Sequence, residues 1–285
     1  MAHSDRAFPY TSRRPVVLVT GALGRLAGEI VRAMQRDFAC RLTDRTAPDG
    51  DRSQCLSADL TDFSQVYPRL TEGVEAVVHL AIASKRDLTT ESSPLEISPF
   101  EERTMTVNVQ GTYHLFEAAR RAGVKRIVFL SSMTVYHGDK HLPRYESGTA
   151  LNPQNLYACT KIFGENLGTV YARDYGMSVI ALRIGQPYPT IPELDALWRT
   201  SKRARSHFVA QEDIAAAVVC ALRTDVKAGI FNIVSASDNQ RVNLTPAARI
   251  GYRPRYHFSD AGLQMREDGV FPPSGPPVTR DGTEA

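Results

Sequence analysis

One stretch, T-G-A-L-G-R-L-A-G at positions 20–28, constrains what this chain can fold into more than any other. It follows a β-branched run, Val16–Thr20, and opens an amphipathic stretch, Leu23–Arg36, so it reads as a strand-to-helix turn. Gly21 and Gly24 stand where a tight turn must let backbone approach a pyrophosphate. That group then rests on the N–H groups of the helix start, beside Arg25 and Leu26. The third small position of the G-x-x-G-x-x-G spacing is Ala27, with Gly28 one place further. A small residue suffices there, because its work is close helix–strand packing. An ordinary glycine-containing turn would read the same, so the motif alone does not decide.

Asp44 does more to decide it. It ends a second short run, Cys40–Thr43, and lies 20 residues after Gly24. A carboxylate at that place accepts hydrogen bonds from the adenosine ribose hydroxyls. It also repels a 2′-phosphate, so NAD is expected over NADP, although Arg45 next to it offers such a phosphate a partner.

Alternation of short apolar runs with longer amphipathic ones continues along the chain. Helices are expected over Asp62–Leu70, Thr104–Ala122, Tyr157–Tyr175 and Glu212–Leu222, the second stopping at Gly123. Strands are expected over Glu75–Ala81, Arg126–Ser131, Ser178–Ile184 and Gly229–Val234. Strands without strict alternation, separated by helices, indicate parallel strands buried on both faces. The fold class is therefore α/β, a doubly wound parallel (Rossmann) sheet with a small C-terminal substrate-binding portion. The expected division is a flexible arm at 1–14, a nucleotide-binding domain at 15–184 and a smaller portion at 185–264. The strand at 229–234 would return from that portion to the sheet, and a proline-rich tail at 265–285 would stay unfolded.

Composition excludes several alternatives. Four cysteines lie far apart with no C-x-x-C pair, against a disulfide framework or a cysteine-based zinc site and in keeping with a reducing cytoplasm. The seven histidines show no metal spacing, so no metal is expected. With 34 basic against 31 acidic residues, the net charge of +3 gives no sign of a nucleic-acid partner. No apolar run is long enough for a membrane span, and the first residues carry no apolar signal core.

Tyr157 and Lys161 form Y-x-x-x-K at the start of a helix, which puts both side chains on one face a turn apart. The spacing alone is weak evidence; its position after a strand ending Ser131-Ser132 makes it informative. Hydride removal from an alcohol carbon requires loss of the hydroxyl proton, and a free tyrosine, with a pKa of about 10, is a poor base at neutral pH. A nearby ammonium favours the phenolate. Lys161 can also hydrogen-bond the nicotinamide ribose, while Ser132 stabilises charge developing on the reacting oxygen. The plain alternative is a half-buried tyrosine beside a solvated lysine.

Taken together, TGALGRLAG, Asp44, SADLTD (57–62), VVHLA (77–81), NVQGTYHLFEAARRAGVKRIVFLSS (108–132), YACTK (157–161) and ALRIG (181–185) resemble the extended short-chain dehydrogenase/reductases, the NAD-dependent epimerase/dehydratase family. The resemblance spans residues 15 to about 250. It implies catalytic roles for Ser132, Tyr157 and Lys161, and contact of Asp59 and Leu60 with the adenine. It places Leu80, Ala81, Asn108 and Ile184 near the cofactor. It also implies a homodimer through the helices Thr104–Ala122 and Tyr157–Tyr175, for which Tyr113, Phe116, Phe163, Leu167 and Tyr171 are candidates, some of them facing the sheet instead.

Within the family, Met133-Thr134 follows the serine where sugar-nucleotide dehydratases carry an Asp-Glu pair, so their water elimination lacks its groups. NLYACTKIFGENL, YGMSVIALRIG and RIGYRPRY are most similar to uronate dehydrogenase-like members. Met133, Thr134 and Gln186 depart from that pattern at substrate-facing positions, and Arg203 would by position bind a substrate carboxylate or phosphate. A solvated basic face over Arg199–Arg205 is the plainer reading of that run. Arg183 and His79 read as structural, His137 as a pocket candidate, and Cys159 as packed away from Tyr157. Three functions stay open: an NAD-dependent oxidoreductase acting on a sugar, sugar acid or similar small hydroxy compound; a sugar-nucleotide epimerase with tightly held NAD; and a non-catalytic NAD(P)-binding sensor.

Overall fold

The computed structural model describes residues 14–46, 55–83, 96–136, 144–188 and 206–259, with the backbone of 262–265. All of the expected arm at 1–14 but Arg14, the tail beyond 265, His137 and the whole Arg199–Arg205 run lie outside the described residues.

Seven strands make one parallel sheet. They are β1 (Val16–Thr20), β2 (Ala39–Asp44), β3 (Cys55–Ser57), β4 (Ala76–His79), β5 (Arg126–Ser132), β6 (Ser178–Ile184) and, later in the chain, β9 (Ala228–Ile233), in the order β3-β2-β1-β4-β5-β6-β9. The order reverses between β1 and β4, the switch point where crevices form at the strands' carboxyl ends. Val17–Val19, Ala76–Val78, Ile127 and Val128 are wholly or nearly wholly buried, as both-face coverage requires.

Helices cover both faces. On one lie α1 (Ala27–Met34) and α6 (Gln211–Arg223), sealed by Ile30, Met34, Ile214 and Val218. On the other lie α2 (Phe63–Val66), α3 (Pro99–Met105), α4 (Thr112–Arg121) and α5 (Leu156–Tyr175), packed through Val66, Leu115, Phe116 and Tyr171. Ser98 caps α3 in a full capping box with Glu101, and Asn155 caps α5 on the Ala158 N–H.

The single helix expected over Thr104–Ala122 is instead three pieces, with a π-helical turn at Thr106–Gly111 between α3 and α4. The break is local: Gly111 lets the turn come against Leu60, whose Cβ would lie 3.1 Å from an added methyl. Asp62–Leu70 is also shorter than expected, since Pro68 ends the helical run at Val66.

After β6 the chain forms a small layer by the carboxyl ends of the strands. β7 (Gln186–Tyr188) pairs with β8 (Phe208–Ala210), and β10 (Ala236–Ser237), β11 (Tyr256–Ser259) and β12 (Gly262–Met265) form a second small sheet beyond α7 (Thr245–Ala248). Asp213 ties this layer to α6: its buried carboxylate accepts the N–H groups of Arg255 and Tyr256 and the Ser235 hydroxyl. No helix among the described residues is long and apolar enough to cross a membrane.

Candidate active site

The glycine turn folds as it does because Gly21 takes φ +70°, closing a turn in which the Gly24 N–H donates to the Gly21 carbonyl at 2.9 Å. Gly21 also packs against the chain leaving β4: a Cβ there would sit 2.7 Å from the Ala81 backbone. Ala27 is buried at the third small position, whereas Gly28 has open space around it. At the N-cap of α1, Leu26 provides no side-chain cap. The orphan donors of the first turn therefore suit a phosphate, which is the fit a dinucleotide's pyrophosphate needs.

A cavity of about 340 Å³ opens from this turn along the strand ends. Of the residues singled out from sequence, Gly21, Gly24, Arg25, Leu26, Leu80, Ser132, Met133, Thr134, Tyr157, Lys161, Ile184 and Gln186 all line it. Asp44, Asp59, Leu60, Ala81 and Asn108 do not. Asp44 stands at the end of β2, its carboxylate accepting the N–H groups of Leu23 and Arg45. Burial would raise the Asp59 carboxyl, but bonds from Thr61 and Arg103 outweigh it and hold the group below its ordinary range. Leu60 is buried under Gly111, and Ala81 backs the Gly21 turn. Asn108, in the π-helical turn, accepts the Ala83 N–H at 2.8 Å and donates to Thr160, joining the segment after β4 to α5. Arg203 lies outside the described residues.

The catalytic candidates meet at the end of β5. Ser132 Oγ accepts both the Thr134 N–H and the Thr134 hydroxyl, at 3.2 and 3.0 Å, and its closeness to Tyr157 favours the phenolate. Even so, burial pushes the Tyr157 phenol above its ordinary value. The pull toward the phenolate comes from Ser132 rather than from the neighbouring ammonium the sequence suggests, and desolvation outweighs it. Lys161 Nζ donates to the Leu130 carbonyl at 2.7 Å and lies 5.6 Å from the centre of the Tyr157 ring. Burial brings the Lys161 ammonium down to about 7, against an opposing pull from Glu165.

His79 is a buried strand residue held between the hydroxyls of Thr20 and Thr112, and burial, helped by the Lys161 charge, lowers it to about 3. Arg183 is structural, making a buried two-pronged pair with Glu165. Cys159 is a correction: it is exposed rather than packed, because its place on α5 turns it away from the sheet. Among the described residues no group of three acidic, histidine or cysteine side chains is placed to hold a metal.

Sequence reasoning missed Ile82, Leu130, Ser131, Gly185, Pro187 and His207, which also line the cavity. Gly185 admits the chain of β8: a Cβ there would fall 2.2 Å from the His207 carbonyl oxygen, so this position tolerates no side chain. The glycine after the strand ending ALRI was the available signal for that close approach.

The chain is 31% identical to a uronate dehydrogenase of Pseudomonas syringae pv. tomato, over 87% of this chain and 86% of that one. It is 29% identical to an NAD-dependent glucose-6-phosphate dehydrogenase of Haloferax volcanii, over 84% and 92%. The crystal structure of a uronate dehydrogenase from Agrobacterium tumefaciens superposes with a TM-score of 0.65 at 25% identity, covering 86% of this chain and 85% of that one. Residues 17–191 match the model of the NAD dependent epimerase/dehydratase family, and the chain belongs to that family.

Proposed function

We propose that the protein is an NAD-dependent dehydrogenase that oxidises a hydroxyl of a small sugar or sugar acid. The observation carrying this reading is that one cavity gathers the uncapped glycine turn at one end and Ser132, Tyr157 and Lys161 at the other. The relatives named for uronate and glucose 6-phosphate oxidation support the substrate class.

Gly21, Gly24, Arg25 and Leu26 would hold the pyrophosphate, Asp44 the adenosine ribose, and Leu80 and Ile184 the nicotinamide side of the cavity. Asp59, Leu60, Ala81 and Asn108 shape that site from behind. NAD bound there supplies the hydride acceptor. Tyr157 Oη takes the substrate hydroxyl proton, and Ser132, its Oγ already accepting twice from Thr134, turns its own proton toward the reacting oxygen. Lys161 holds the nicotinamide ribose and, as a cation, eases deprotonation of Tyr157. Met133, Thr134 and Gln186 line the substrate side, and Arg203 is the residue proposed to receive an acid group. Met133 and Thr134 offer no acid–base pair for water elimination.

Exposed Tyr113 on α4 and Val170 and Tyr175 on α5 support a homodimer through those helices, while Phe116 and Tyr171 are buried against the sheet. Four cysteines that are all free suit a reducing cytoplasm.

The test is NADH formation from NAD across a panel of aldoses, their phosphates and sugar acids. Steady accumulation with at least one of them is expected. NAD binding with no response to any sugar would favour a sensor, and conversion of a nucleotide sugar without NADH would favour an epimerase.

A further inference from the structure

Three consecutive residues of β5 face three residues of α5 spaced one turn apart. Leu130 accepts from Lys161 through its carbonyl, Ser131 donates its hydroxyl to Glu165, and Ser132 shares the cavity wall with Tyr157. Tyr157, Lys161 and Glu165 follow the i, i+4, i+8 spacing and so share one helix face. The mechanism above uses two of the three.

Glu165 is buried, its side chain 2% exposed, and its carboxylate is fully engaged. Oε1 accepts from Ser131 and from Arg183 Nε, and Oε2 accepts from Arg183 Nη2 at 2.8 Å. Arg183 then reaches the Tyr136 hydroxyl and the Ser147 carbonyl, and Tyr136 continues to Asn232 and Glu146. The carboxylate thus ties α5 to the end of β5, to β6 and to the segment after Ser132. A buried pair of this kind is a poor source of stability compared with apolar side chains of the same volume, so its place beside the reacting groups needs another reason.

We propose that Glu165 is a positioning residue for this reaction: held by Arg183 and Ser131, it locks the Tyr157–Lys161 face of α5 onto the end of β5 and keeps Lys161 charged. The proposal rests on the dehydrogenase reading for its catalytic consequence, and on geometry for the rest. The titratable groups facing Lys161 are Tyr157 and Glu165 from its own helix and His79 from β4, while Arg183 and Tyr136 stand behind Glu165. Of these, Glu165 supplies the negative charge that opposes loss of the Lys161 proton.

The test follows Lys161 directly. The chain has six lysines, few enough that the Lys161 Cε resonance of ¹³C-lysine-labelled protein can be assigned by its loss in Lys161→Ala. In Glu165→Gln the Lys161 titration midpoint should fall by about one pH unit or more, with the other lysines unmoved. In the active enzyme the basic limb of the kcat–pH profile should move down with it, while KM for NAD, read below the displaced midpoint where Lys161 is charged in both proteins, stays within about three-fold. An unmoved midpoint in folded Glu165→Gln overturns the proposal whatever the activity. If that variant does not fold, Glu165→Leu combined with Arg183→Met removes both charges at similar volume; because the opposing Arg183 charge goes too, a smaller fall in the same direction is expected, and no fall overturns the proposal. A wild-type chain inactive on every sugar would instead overturn the dehydrogenase reading, and the midpoint would still decide the charge coupling.

Discussion

The Asp44 carboxylate accepts the Leu23 backbone N–H at 3.0 Å, so the residue proposed to recognise the adenosine ribose also anchors the glycine turn. Asp44→Ala should therefore do two kinds of harm. Losing a charge-assisted bond costs about 1.5–3 kcal/mol, which weakens NAD about ten-fold or more, and discrimination against NADP should relax. Asp44→Asn keeps an acceptor for Leu23 while removing the charge. It should lose less NAD affinity and gain more NADP affinity than the alanine variant, as read by titration with both cofactors. Preference for NADP in the unaltered protein would show that the end of β2 has been misread.

Gly21→Ala tests the turn itself. The left-handed backbone costs a non-glycine residue about 1–2 kcal/mol, before any clash. Here the added methyl would also meet the Ala81 main chain, which cannot rotate away as a side chain would. A drop in melting temperature together with loss of NAD binding is expected. An unchanged melting temperature would mean that the turn and the segment after β4 are not packed as described.

Much of this arrangement was legible because its signals are local. β6 runs over Ser178–Ile184, as the apolar run indicates, and α5 starts one residue before the expected Tyr157. Gly123, read as a helix stop, has φ +74° just after α4. What escaped depends on partners far along the chain. The π-helical turn that aims Asn108 at Ala83 leaves the apolar periodicity of Thr104–Ala122 almost intact, so a period of 3.6 cannot reveal it. The three-residue β3, β7 and β8 are too short to show any period, and they exist through their pairing. Glu165 was readable as the next turn after Lys161, but its partner Arg183 is a contact no local pattern shows.

His79 makes a pH prediction with a definite sign. Its folded-state value of about 3 lies below its ordinary 6.5, so the unfolded chain binds the extra proton between those values. This group's stabilising contribution is then complete above pH 6.5 and is lost as pH falls toward 3. His79→Gln should make the acid loss of stability shallower across that window, as followed by urea unfolding at several pH values. It should also lower stability at neutral pH, because glutamine cannot span Thr20 and Thr112 as the ring does. Identical pH slopes in the two proteins would contradict a buried, neutral imidazole.

Tyr157→Phe isolates the proposed proton transfer. The change removes one hydroxyl and leaves the ring against Lys161 and the cavity wall, so NAD affinity should stay within about three-fold while kcat falls by about 10²–10⁴. Ser132→Ala should behave differently. It removes a donor to the reacting oxygen, with a loss of about 10²–10³ in kcat, and it also frees Thr134, whose N–H and hydroxyl both rest on Ser132 Oγ. The segment carrying Met133 and Thr134 should then loosen, and KM for the sugar should rise, an effect that Tyr157→Phe should not show. Combining the two variants should cost little more than Tyr157→Phe alone, because groups that act as a unit are not additive. More than a tenth of the original rate in Tyr157→Phe would remove the tyrosine from its assigned role. Fully additive losses in the double variant would mean that Ser132 and Tyr157 act at separate steps, despite lining one cavity.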